Sequence, residues 1–274
     1  MQNVMWSFFG GVLLIGFVVF LWKQQKKRHR AKLLATPAPP EWRSILQKNM
    51  PLIDRLSAKQ QKKLFSLMQV FLDEKIFEGC GGLELSEEIK ITIAAQACLL
   101  LLGQEGAVYP RLKTILVYPH TYSGGQKGIF GGDNGASARL GESWGSGVVV
   151  LAWNSVLGGA QNIHDGHNVT FHEFAHQLDQ EDGVADGVPV LKKRSAYASW
   201  AHVFNHDYKM LIDETEHGKK EVLNRYGATD PAEFFAVATE TFFEKPHQLK
   251  AKHPELFEEL KFYYALDPMD WLTD

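Results

Sequence analysis

Cysteine is nearly absent: Cys80 and Cys98 are the only two in 274 residues, and they form no C-x-x-C spacing. A disulfide-stapled secreted scaffold and a cysteine zinc site are thereby excluded. Acidic residues are missing from the first 40 positions, which hold six Lys/Arg. Residues 41–274 therefore carry 23 basic against 32 acidic side chains, a balance of −9. Such a body repels phosphate backbones, so direct nucleic-acid binding is excluded. Phosphate-cradling patterns are lacking too. Residues 123–147 hold nine glycines, but neither G-x-x-x-x-G-K-[ST] nor G-x-G-x-x-G occurs, and a flexible loop or lid is expected rather than a nucleotide site. No internal repeat or heptad array is found.

What is present begins with an uncharged run of 19 residues, Val4 to Trp22. As a helix rising about 1.5 Å per residue it reaches roughly 28 Å, close to the hydrocarbon thickness of a bilayer. Trp6 and Trp22 flank it, and Lys23, Lys26, Lys27, Arg28, Arg30 and Lys32 follow. A cleaved signal peptide would carry its charge before the apolar run, so residues 1–32 are expected to be one transmembrane helix with its basic segment in the cytoplasm. Pro37, Pro39 and Pro40 mark 33–41 as a stiff linker. The body, 42–274, follows. Within it, Ser57 caps an expected helix to Glu74, and Ser86 caps an apolar helix to Leu102. Thr114 to Tyr118 and Gly147 to Trp153 read as strands.

The pattern that carries chemistry is His172-Glu173-Phe174-Ala175-His176, an H-E-x-x-H motif. Composition would produce it about 0.03 times in such a chain. Residues four apart share one helix face, so both imidazoles can hold one Zn²⁺, with Glu173 beside them as general base toward metal-bound water. Phe171, Phe174, Ala175 and Leu178 form the opposite, core-facing stripe. His202 and His206 are also four apart but are followed by no glutamate, so they lack a base. His164 and His167 precede the motif in a turn and can approach it.

A hydrolytic zinc site needs a third protein ligand and one open position. The metzincin continuation fails, because Asp179 stands in the glycine place and Asp182 in that of the third histidine. Asp182 itself remains a candidate. Downstream, Glu233 and Glu240 lie seven apart on one face of a helix opened by Asp230 and Pro231. Asp230 and Glu233 also have capping-box spacing, so spacing alone leaves Glu233 and Glu240 level.

The stretches FHEFAHQLDQEDG at 171–183, GVPVL at 187–191 and YGATDPAEFFAVATETFF at 226–243 resemble the Mlc titration factor A family of bacterial zinc peptidases. Upstream segments are similar too, over about residues 42–271. The resemblance implies a mixed α+β, zincin-like fold related to the anthrax lethal factor catalytic domain. It implies Glu233 as third ligand beside His172 and His176, Glu173 as base, and Tyr226 as a catalytic tyrosine. A phenol there could donate to the oxyanion formed when a peptide bond is attacked. It further implies aminopeptidase activity and, in the best-known member, binding to a repressor of transcription.

Two readings follow. One is a peptidase acting on peptides or proteins, anchored in the bacterial inner (cytoplasmic) membrane with its catalytic body in the cytoplasm. The other is a regulatory protein that sequesters a transcription repressor at the membrane, with zinc serving structure. An intact Glu173 favours the first, because a structural site has no use for a base.

Overall fold

The computed structural model describes residues 2–106, 108–120 and 147–271, with residues 2–15 given by backbone alone. The glycine-rich segment 123–147, apart from Gly147, lies outside the described residues. In chain order the helices and strands are α1 (Gln2–Ala35), α2 (Glu41–Asn49), α3 (Ala58–Glu74), β1 (Ile76–Gly79), α4 (Glu87–Leu99), β2 (Thr114–Tyr118), β3 (Val148–Ala152), α5 (Trp153–Gln161), α6 (Val169–Asp179), α7 (Ala196–Glu216), α8 (Pro231–Glu244), α9 (Pro246–Lys252) and α10 (Pro254–Tyr264).

The architecture is mostly helical, 63% helix against 6% strand, and this corrects the expected α+β, zincin-like fold. The sheet explains the imbalance. Its three strands, each four or five residues long, are all parallel in the order β1-β2-β3. A parallel neighbour is reached only by a crossover. Between β1 and β2 that crossover contains α4, buried from Ile91 to Leu99.

The expected membrane helix is corrected as well. Rather than ending after the basic cluster, α1 runs through it to Ala35, three residues into the proline-rich segment. There it packs on α3: Arg30 Nη2 donates to Glu74 Oε2 at 2.9 Å, and His29 Nε2 lies 3.0 Å from both carboxylate oxygens of Asp73. Ser66 Oγ donates to the Leu34 carbonyl at 3.2 Å. Cations read as a membrane-surface cluster thus face the acidic end of a neighbouring helix. Among the described residues no helix is long and apolar enough to cross a membrane. The transmembrane span and the inner-membrane placement are withdrawn on that finding.

Helix starts follow local chemistry. Ser57 and Gln60 form a reciprocal capping box at α3, where Ser57 N donates to Gln60 Oε1 at 2.9 Å and Gln60 N to Ser57 Oγ at 3.3 Å. In α8 every residue from Ala232 to Glu244 is buried, so this helix belongs in the interior. Between α3 and α8 sits α6. Its Phe174 ring lies 5.7 Å from Phe71 and 4.9 Å from Tyr109, and its Phe171 ring lies 5.2 Å from Phe243. The crossing of α6 and α8 positions the candidate site.

Candidate functional site

Asn168 starts α6: its Oδ1 accepts from the backbone N–H of Thr170 and of Phe171, both at 3.0 Å. Such a cap stabilises a helix by about 1 kcal/mol. A Cβ on Gly159 of α5 would fall 2.9 Å from Asn168 Cγ, so a glycine lets α5 approach this cap. At the other end, buried Asp179 accepts from Gly187 N at 3.0 Å. Gly187 has φ +77, and a Cβ there would come within 2.3 Å of the Pro231 carbonyl oxygen. The chain leaving α6 is therefore pinned against the first turn of α8.

That first turn is capped by Asp230, whose Oδ1 accepts from Glu233 N at 2.9 Å. The Glu233 side chain does not complete a capping box. Its Oε2 lies 2.9 Å from His172 Nε2 and 3.4 Å from His176 Nε2, while the two Nε2 atoms stand 3.2 Å apart. One ligand atom from each of His172, His176 and Glu233 lies within 4.8 Å of the others, a buried group able to hold a metal ion. Glu240 takes the opposite edge of the first imidazole: its Oε1 is 2.7 Å from His172 Nδ1, and its Oε2 accepts from Asn168 N at 2.6 Å. With a cation bound, a carboxylate on Nδ1 would hold the proton there and leave the Nε2 lone pair to ligate it. The donor set therefore fits a divalent cation.

Electrostatics point the same way. Burial disfavours the charged form of His172, but its hydrogen bonds to Glu233 and Glu240 outweigh this and raise its pKa. For His176 burial prevails and the pKa falls. Burial would raise Glu233, yet the hydrogen bonds from the two imidazoles hold its carboxyl well below the usual range. Glu173 is pushed up to about 7, by burial first and then by Glu233 and Glu240, against the pull of His172. Three carboxylates around two imidazoles make a pocket that favours a positive charge.

Tyr226 stands on a short 3₁₀ turn, Arg225–Ala228, capped by Asn224. Its hydroxyl donates to Glu233 Oε1 at 3.2 Å, and its ring lies 5.8 Å from that of His172. The other sequence candidates lie elsewhere. Asp182 accepts from Val184 N at 2.9 Å in the turn after α6. His202 and His206 are exposed on α7. His164 donates its backbone N–H to Asn162 Oδ1 at 3.3 Å.

His167, expected from its turn to approach the motif, lies 2.7 Å by its Nε2 from Asn224 Nδ2. Sequence reasoning missed Asn168, Asn224 and Glu244. Glu244 had a signal, since it follows Glu240 by one helical turn on the same face. Its Oε2 accepts from His167 N at 3.0 Å, and burial, reinforced by Asp165 and Glu240, lifts its pKa to about 9. The folded protein then holds a proton at pH values where the unfolded chain has lost it. The stability this group contributes is fully present below about pH 4.5 and is lost as pH rises through about 9. Glu244→Gln is expected to match wild type in urea-unfolding free energy near pH 4 and to exceed it near pH 9 by several kcal/mol, about 1.4 kcal/mol for each unit of the rise. Equal free energies at pH 9 would contradict a protonated Glu244.

Comparison with known proteins bears on this geometry. The model of the glucose-regulated metallo-peptidase M90 family matches residues 22–265. The uncharacterized protein slr2042 of Synechocystis sp. is 41% identical over 263 residues, covering 94% of this chain and 96% of its own length. Mlc titration factor A of Cronobacter sakazakii is 31% identical over 252 residues, covering 89% and 91%. Its Yersinia pestis counterpart is 29% identical over 260 residues, covering 92% and 91%. With the match spanning most of its length, the chain belongs to the glucose-regulated metallo-peptidase M90 family.

Proposed function

We propose that the chain is a zinc-dependent peptidase that hydrolyses bonds in peptide or protein substrates. The observation that carries this reading is the convergence of His172, His176 and Glu233, next to a buried Glu173. Two imidazoles and one carboxylate are the donor set of catalytic zinc sites that leave a fourth position for water. Bound there, zinc would supply Lewis acidity and lower the pKa of a coordinated water.

The rest is the work of this chain's side chains. Glu173, its carboxyl raised to about 7, takes a proton from the attacking water and returns one to the leaving amine. The Tyr226 hydroxyl, half-exposed at the cluster, donates to the oxyanion that develops on the attacked carbonyl. Among the described residues β3 ends the sheet order, and an extended substrate backbone can be laid along such a strand. The name Mlc titration factor A, borne by relatives, favours a second reading in which the chain binds a transcription regulator. The two are compatible.

Metal analysis combined with a peptide-library cleavage assay tests the first reading. Wild type should bind one zinc and cleave. His176→Ala and Glu233→Ala should lose stoichiometric metal, since each removes one of three protein ligands. Glu240→Ala should keep it with about 10–100-fold weaker affinity, because that carboxylate orients a ligand instead of being one. Full zinc content in Glu233→Ala, with loss in Glu240→Ala, would exchange the two roles.

A further inference from the structure

Tyr226 is 46% exposed, so packing alone does not fix its side chain. The phenol is placed by its bond to Glu233 and by the turn that carries it, and that turn is capped by Asn224. Asn224 Oδ1 accepts from Tyr226 N at 2.9 Å, and Asn224 Nδ2 donates to His167 Nε2 at 2.7 Å. His167 directly precedes Asn168, the cap of the motif helix. Its own backbone N–H is held by Asp165 Oδ1 at 2.9 Å and by Glu244 Oε2 at 3.0 Å. Both amide groups of Asn224 are thus committed, one to the tyrosine turn and one to the segment entering α6.

We infer that His167, acting through Asn224, is the positioning residue that sets Tyr226 against the Glu233 carboxylate. The inference rests on the proposed role of Tyr226 for its kinetic consequences, though not for its structural content. Without the imidazole acceptor, the Asn224 amide loses one of its two anchors and keeps only the bond from Tyr226 N. The 3₁₀ turn then keeps its backbone hydrogen bonds, Gly227 N to Asn224 O and Thr229 N to Tyr226 O, while the phenol loses its fixed place. The effect belongs in kcat, because the tyrosine's hydrogen bond to the oxyanion forms mainly in the transition state. His167→Gln restores an acceptor oxygen near the same position.

The test is a double-mutant cycle read in two ways on full-length protein. In fluorine NMR of fluorotyrosine-labelled protein, the Tyr226 resonance is identified by its loss in Tyr226→Phe. His167→Ala should move it and His167→Gln should return it, with or without metal. Kinetically, His167→Ala should lower kcat about 10-fold with little change in KM, while adding nothing in a Tyr226→Phe background. An unmoved resonance in His167→Ala, or full additivity with Tyr226→Phe, overturns the inference. A resonance that moves while Tyr226→Phe keeps full kcat upholds the positioning and removes the tyrosine from the proposed chemistry.

Discussion

Glu173→Gln is expected to retain its metal ion and lose turnover by about 10²–10⁴-fold. Glutamine preserves the shape of the side chain and one acceptor oxygen but cannot take a proton. The size of the loss is that of a missing general base. Without metal the carboxyl titrates near 7, so about half of it is unprotonated at neutral pH, and it is a stronger acceptor than an exposed glutamate near 4.5 would be. Burial next to Glu233 and Glu240 makes that difference, so the same crowding that costs stability tunes the base. Zinc content and peptide cleavage should be measured on one preparation. Intact cleavage by a metal-loaded Glu173→Gln protein would remove the peptidase mechanism and leave the regulatory reading.

His253→Ala should destabilise the fold by about 3–5 kcal/mol, as expected when one member of a buried ion cluster is deleted. This imidazole has no exposed side-chain surface. Its Nδ1 lies 2.6 Å from Asp207 Oδ1, and its Nε2 lies 2.9 Å from Glu221 Oε1. Burial opposes its charge, but the two carboxylates outweigh burial and raise its pKa above 6.5. Alanine would leave Asp207 without its buried partner, whereas Glu221 would still be paired with Lys252. Because the folded value is raised, the stabilisation is fully present below about pH 6.5 and fades as pH climbs through the folded value. Urea midpoints should therefore differ more at pH 6 than at pH 9. A deficit under about 1 kcal/mol at pH 6 would show that the cluster relaxes without its imidazole.

The pairing of His172 with His176 is legible in sequence because helical geometry alone brings them together. The distinction between Glu233 and Glu240 is not. Both lie on one face of α8, and they meet opposite edges of the same imidazole, at 2.9 Å from Nε2 and 2.7 Å from Nδ1. Which edge each meets depends on where α8 crosses α6, and no local spacing encodes that crossing. Two of the strands were readable from branched-residue runs, while β1, four residues directly after α3, carries no turn signal to separate it. The first helix misled for a related reason. An apolar run followed by cations suits a membrane surface, but the partners of Arg30 and His29 are Glu74 and Asp73, 44 residues away.

The separation of the two site helices has a consequence for how this protein is made. His172 and Glu233 are 61 residues apart. A chain growing from its amino end therefore exposes the two histidines well before the glutamate leaves the ribosome. Early in synthesis only two of the three proposed ligands exist, on a helix whose packing partner has not been translated. A metal ion that needs all three cannot nucleate the fold. It can be captured only after α8 docks, and it then acts as a clasp on a long loop whose closure entropy has already been met by apolar packing. Metal supply during growth should accordingly govern the fraction of active molecules more than the fraction that folds.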